Sequence, residues 1–166
     1  MELRTARLLL RRPVPDDLVP IHAVMSSPEA MRYWSTLPHE SLAVTEAWFP
    51  GALLSFDNPA WDEWIIEHEG RVVGYMGIWN MPEFGFILHP DVWGRGLATE
   101  AATAFIEYAF AAHPIDALTA DVDPRNTASL KLLQRLGFTV TGTARNTFLI
   151  GGEWYDSVYL SLPRPH

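Results

Sequence analysis

The pattern of apolar and polar positions divides the chain into short strands and amphipathic helices. Leu8 to Arg12 reads as a first strand, stopped by Pro13 and Pro15. Asp16 and Asp17 suit the positive end of a helix that carries Leu18, Ile21 and Met25 on one face. Ser27-Pro28, a cap followed by proline at the first helical position, predicts a second helical stretch. A third is predicted from about Ser41 towards Leu54, broken or kinked at Pro50-Gly51. Glu63 to Glu67 and Arg71 to Trp79 are rich in strand formers and are joined through His68-Glu69-Gly70 as a hairpin, with Phe84 to Leu88 as a further strand.

Ala98 to Ala112 predicts a long helix, apolar at Ala101, Phe105 and Tyr108 and again at Ala102, Ile106 and Ala109, hence well buried. Leu118 to Val122 alternates as a strand. Asn126 to Leu136 is a helix closed by Gly137-Phe138, a glycine C-cap backed by a hydrophobic residue. Thr147 to Ile150 and Trp154 to Leu162 form a closing hairpin about Gly151-Gly152. The order is β, helices, βββ, α, β, α, ββ, an α/β (α+β) fold around one twisted sheet with few βαβ units.

Composition narrows this. The 166 residues are 48% hydrophobic and 19% charged, which fits one globular domain over residues 1–166. No apolar run approaches a membrane span, and Leu8-Leu9-Leu10 is too brief for a secretory signal, so the cytoplasm is the expected compartment. With no cysteine, a thiolate nucleophile, a disulfide scaffold and Cys-ligated metal are excluded. A net charge of −8 argues against coating nucleic acid. Residues 1–83 hold six arginines against twelve acids, and residues 84–166 hold six basic residues against eight, so the second half suits a polyanionic ligand better. His22, His39, His68, His89, His113 and His166 show no ligand spacing, and no metal is predicted.

Chemistry concentrates at Phe84 to Glu100, where a strand runs into a glycine-bearing turn that opens directly into the long helix. Amide N–H groups at such a turn lack helical partners and face the positive end of the dipole, which makes an anion cradle. Gly94 and Gly96 let backbone approach the anion, and Arg95 could add charge. An ordinary glycine loop before a buried helix has the same pattern. A dinucleotide fingerprint fails because its third glycine position is Thr99, and the phosphate-loop Lys-Ser/Thr ending is absent.

Trp93-Gly94-Arg95-Gly96-Leu97-Ala98, continued by Thr99-Glu100, resembles the acetyl-CoA motif of the GNAT superfamily of N-acyltransferases, in the form carried by its RimJ/RimL-like branch of ribosomal-protein N-terminal acetyltransferases. Thr5-Ala6-Arg7-Leu8-Leu9-Leu10-Arg11, Asp123-Pro124-Arg125-Asn126-Thr127-Ala128-Ser129 with Leu136-Gly137-Phe138, and Gly152-Glu153-Trp154-Tyr155-Asp156 resemble the same branch, so the likeness spans nearly the whole chain. It implies a mostly antiparallel sheet splayed between the strand ending at Leu88 and the one at Leu118 to Val122. Acetyl-CoA would lie between them, its arm paired with the backbone of Phe86, Ile87 and Leu88. Its pyrophosphate would rest on the turn Trp93 to Thr99, and Asn126 and Ser129 would touch the arm. The cosubstrate is acetyl-CoA, without metal.

The tyrosine that many members use as general acid is replaced by Leu133, and the resemblance to this branch makes Ser129 the acid. Asn126 as a plain helix cap, with Ser129 in the first turn, explains the same residues. Glu83 is the candidate base; alternation puts it on one face with Gly85 and Ile87, and an exposed carboxylate at a strand start fits equally. A second carboxylate of some relatives falls near Phe148 and is missing. Five of seven tryptophans and twelve acids lie in residues 1–83, where the resemblance implies the acceptor site; an acidic aromatic cleft suits a cationic amine, and an aromatic core with solvated acids reads the same way. The expected activity is acetyl transfer to a primary amine such as a protein N-terminus, in a ternary complex. The alternatives are a small amine (polyamine, amino acid or antibiotic) or CoA binding without catalysis. The protein is expected to be a monomer or homodimer with neither nucleic acid nor membrane as partner.

Overall fold

The computed structural model describes residues 1–165; His166 lies outside them. Twelve regular elements follow one another: β1 (Glu2–Arg4), β2 (Leu8–Arg11), α1 (Leu18–Met25), α2 (Leu42–Leu53), β3 (Asp62–His68), β4 (Arg71–Ile78), β5 (Phe84–Leu88), α3 (Leu97–Ala112), β6 (Ala117–Val122), α4 (Thr127–Arg135), β7 (Thr139–Ile150) and β8 (Glu153–Pro163). Strands β1 to β5 make one antiparallel sheet in sequence order, and β6, β8 and β7 make a second. The two meet at a single parallel bridge between Glu83 and Thr119, reinforced by the Thr119 amide donating to the Pro82 carbonyl at 3.0 Å. The one sheet read from the sequence thus splits where β5 and β6 part company. No described helix is long and apolar enough to cross a membrane.

Both faces of the first sheet are covered. Leu97, Ala101, Ala102, Phe105 and Ala109 bury one stripe of α3 against the face carrying Leu10, Trp64, Met76 and Phe84, and Phe105 stacks on Phe84 at 5.5 Å. Ile21 and Met25 of α1 with Phe49 and Ala52 of α2 cover the other, against Ile65, Tyr75 and Ile87. Adjacent residues of β3 therefore meet opposite environments. Asp62 faces α3 and accepts from Trp64 Nε1, Tyr108 Oη, His113 Nε2 and Arg12. Burial raises its carboxyl, but His113, Arg12 and Tyr108 prevail and hold it low. Glu63 faces α1 and α2, and burial pushes it up.

Three expectations are corrected. Residues 28–33 form turns instead of a helix: the Met31 amide makes one helix-type bond to Ser27 O at 3.0 Å, while the Arg32 and Trp34 amides reach back only three residues, to Glu29 O and Met31 O. The reason is tertiary: Trp34 packs edge-on against Trp79 at 5.4 Å, and the Arg32 and Arg125 guanidinium groups lie over the Tyr33 ring. Helix α2 runs unbroken through Pro50, which lies in its last turn and forgoes only the one amide bond that would reach the Glu46 carbonyl. The sequence reading missed β1 and the first half of β7.

Candidate active site

Gly94 and Gly96 both take left-handed backbone conformations (φ +71° and +76°), and Gly96 is the N-cap of α3. Such angles cost a Cβ-bearing residue about 1–2 kcal/mol, which explains glycine at both positions. The turn is braced from the chain's start. Arg7 Nη1 donates to Arg95 O at 2.8 Å and Arg7 Nε to Glu100 Oε2 at 2.7 Å, while the Arg7 amide and the Thr5 hydroxyl both donate to Glu100 Oε1. Two sequence segments ninety residues apart are therefore one clamp, and these contacts hold the Glu100 carboxylate low even though desolvation opposes them.

Beyond the clamp lies a cavity of about 570 Å³ between the end of β5, the α3 turn and α4. Phe86, Ile87, Leu88, Trp93, Gly94 and Gly96 line it, continued by Leu97, Ala98 and Thr99; Asn126 and Ser129 face it from α4. Of the sequence-derived cofactor residues only Arg95 is absent from this lining: its guanidinium is turned to His68 Nε2 at 3.2 Å. Odd residues of β5 bond to β4, as the Glu83 carbonyl does to the Trp79 amide and the His89 amide to Val73 O. The N–H and C=O groups of Phe86 and Leu88 consequently point the other way, into the gap. The Leu88 carbonyl accepts from Trp93 Nε1 at 2.9 Å, which folds the half-exposed Trp93 back along the turn.

Asn126 caps α4, its Oδ1 accepting from the Ser129 amide at 3.2 Å. Capping and cavity lining coexist, and the Ser129 side chain stands on the same wall. Leu133 is buried in the core. Lys131, the one lysine of the sequence, and Arg135, one turn apart on α4, also reach this cavity.

A second cleft, of about 410 Å³, opens on the α1–α2 side of the sheet. Trp34, Trp48, Trp61, Tyr75 and Trp79 wall it, and Glu63, Glu83, Asp121, Asp123 and Asp156 supply its acids. Glu83 and Gly85 share this wall, as the alternation predicts. The Glu83 carboxyl is raised, first by partial withdrawal from water between the cleft walls and then by the like charge of Asp121, itself raised by burial. The sequence reading missed Asp121 and Glu63. Alternation along β6 puts Asp121 with Thr119, the residue bridged to Glu83, which was the available signal. Arg32, Tyr33 and Trp34 line both cavities and so form the partition at which they meet. Among the described residues no cluster of His, Asp and Glu could hold a metal ion.

Known proteins share the family and the fold. The acetyltransferase (GNAT) domain family matches residues 7–139. The N-acetyltransferase p20 of Bacillus licheniformis is 31% identical over 175 residues, covering 96% of this chain and 94% of that protein. Spermidine N(1)-acetyltransferase of Escherichia coli K12 is 24% identical over 153 residues, covering 89% and 81%. The structure of the ribosomal L7/L12 α-N-protein acetyltransferase RimL in complex with coenzyme A superposes with a TM-score of 0.87 over 98% of both chains at 16% identity, a likeness of fold.

Proposed function

Because the chain belongs to the acetyltransferase (GNAT) domain family, it is an acetyl-CoA-dependent N-acetyltransferase, and we propose that its two joined cavities divide the substrates between them. The observation that carries this reading is the shared partition Arg32–Tyr33–Trp34: one cavity has the anion-binding turn, the other is acidic and aromatic, and they touch at one place.

The larger cavity takes acetyl-CoA. Its fit rests on the left-handed glycine turn at the N-terminus of α3, whose free amides suit a pyrophosphate, and on the backbone edge of Phe86 and Leu88 that turns away from β4, which suits an amide-bearing arm. When bound, this cosubstrate supplies an acetyl group activated as a thioester. Lys131 and Arg135 add positive charge to the same cavity. Ser129 stands on the α4 wall as proton donor to the sulfur as the S–C bond breaks and the N–C bond forms. Glu83 receives the proton lost by the attacking amine, directly or through a water. Its raised affinity for protons brings it closer to the operating pH than an ordinary carboxylate.

The acceptor is a primary amine drawn as a cation by five carboxylates and held among aromatic faces. An α-amine, with an ordinary pKa of about 7.7–8.0, needs less help from Glu83 than a lysine-type amine at about 10.4. RimL and the spermidine enzyme name the two acceptor classes to compare, peptide N-termini and small polyamines. The test is CoA thiol release with purified protein across a panel of both. Release with at least one class is expected. CoA binding without release from any acceptor would leave a binding module instead.

A further inference from the structure

We propose that the acceptor cleft contains a second subsite, built on Glu63, that holds a cationic amine of the acceptor other than the one that reacts, so that linear diamines and polyamines are preferred to monoamines. This rests on the acetyl-transfer reading above and adds the substrate class.

Glu63 is only 3% exposed, yet it lines the cleft. Its Oε1 accepts from Trp79 Nε1. Its Oε2 has no hydrogen-bond partner, nor do the Tyr75 and Ser55 hydroxyls that surround the same carboxyl and favour its charged form. Three buried oxygens thus converge; the two hydroxyls support the carboxyl, and none of the three meets a hydrogen-bond partner at ordinary geometry. A primary ammonium carries three N–H donors and one positive charge, and would answer all three together. Among the described residues no Lys, Arg or His forms an ion pair with Glu63, and the like charge of Asp62 acts against its charged form.

The walls suit the same guest. Trp34 stands edge-on to Trp79 at 5.4 Å, and Trp48 edge-on to Tyr75 at 5.3 Å, so the cleft is walled by crossed aromatic rings. A desolvated ammonium is attracted to aromatic faces. Apolar ligands would leave the carboxylate unpaired, and an anion would be repelled.

The sheet register sets the spacing. Glu63 pairs with Gly77 across β3 and β4, and Gly77 with Gly85 across β4 and β5. Two strand spacings put Glu63 about 10 Å from Gly85, with Glu83 two residues before Gly85 on the same face. An acid at each end of an aromatic channel is the complement of a linear dication, with the reacting amine towards Glu83 and its protonated partner at Glu63.

Butylamine and putrescine differ only in the second amine, so calorimetric titration of each into the CoA-loaded protein at fixed ionic strength isolates the subsite. Putrescine is expected to bind at least about tenfold more tightly. Glu63→Gln keeps an acceptor for Trp79 and removes the charge; in it the two amines should bind within about twofold of each other. Equal affinities in the wild type, no binding of either amine, or a preference that survives in Glu63→Gln would overturn the proposal. If Glu63→Gln does not fold, the wild-type comparison decides alone. Thiol release is measured separately: none from any acceptor would defeat the acetyl-transfer reading, while a putrescine preference in binding would still report on Glu63.

Discussion

The indole of Trp79 lies directly against Gly85, so close that a Cβ at position 85 would stand 2.2 Å from its Cζ3. Its Nε1 meanwhile donates to Glu63 on β3. The ring therefore reaches across the sheet, and the missing side chain on β5 is what lets it lie there. Gly85→Ala should push the ring off its bond to Glu63 at an overpacking cost of about 1–3 kcal/mol in stability. kcat/KM for the amine should fall at least about tenfold and CoA affinity should stay within a few fold, since Trp79 lines only the acceptor cleft. Calorimetry and steady-state kinetics on the same sample check both; an equal loss of CoA binding would count against two separate cavities.

At the anion turn, Gly96→Glu combines a left-handed backbone with a like charge at the helix N-terminus. The strain costs about 1–2 kcal/mol of stability. CoA affinity should fall by at least about tenfold through charge alone. Unchanged calorimetric affinity in a folded variant would remove the turn from the cofactor site.

Ser129 and Asn126 can be told apart by what each variant spares. Ser129→Ala should lower kcat by at least tens of fold, towards the roughly 10²–10⁴ attributed to general acids, and leave CoA affinity within a few fold. Asn126→Ala removes the cap bond to the Ser129 amide and should lower stability by about 1 kcal/mol. A Ser129→Ala enzyme with normal kcat and a raised KM for acetyl-CoA would make Ser129 a binding residue only.

The Glu83–Asp121 pair makes a signed prediction about pH. Withdrawal from water raises Glu83 first, and the like charge of Asp121 raises it further. Activity should fall on the acid side as Glu83 takes up its proton. Asp121→Asn removes the repulsion, so the charged form of Glu83 becomes easier to reach and the acid limb of kcat/KM should move to lower pH. Both raised carboxyls bind protons more readily folded than unfolded. Their contribution to stability is therefore present below the ordinary carboxylate range and is lost as pH rises through the raised values. An acid limb that does not move in Asp121→Asn would exclude Glu83 as the group it reports.

Much of this architecture was legible because it is locally encoded. The Glu69-Gly70 turn takes positive φ at both residues, the form a two-residue hairpin requires, and β3 and β4 follow from it. The glycine turn before α3 is likewise a short-range signal. What the sequence hid depends on distant partners. Tyr33 and Trp34 leave the helical path for aromatic contacts with residues up to ninety positions away. The first half of β7 is largely exposed and carries a single large apolar residue, Val140; its pairing with β8 holds it. Glu63 reads as a solvated acid until α1 and α2 are laid over its face of the sheet. Arg7 and Glu100 were both in recognised stretches, but that one holds the other needed three dimensions.

The partition Arg32–Tyr33–Trp34 carries a thermodynamic consequence. On the reading proposed here it is a common wall, so a ligand that orders it on one side prepares it for the other. Linkage then requires symmetry: whatever factor CoA adds to the affinity for the amine, the amine must add to the affinity for CoA. A segment of three side chains without regular secondary structure thereby makes each substrate an effector of its companion.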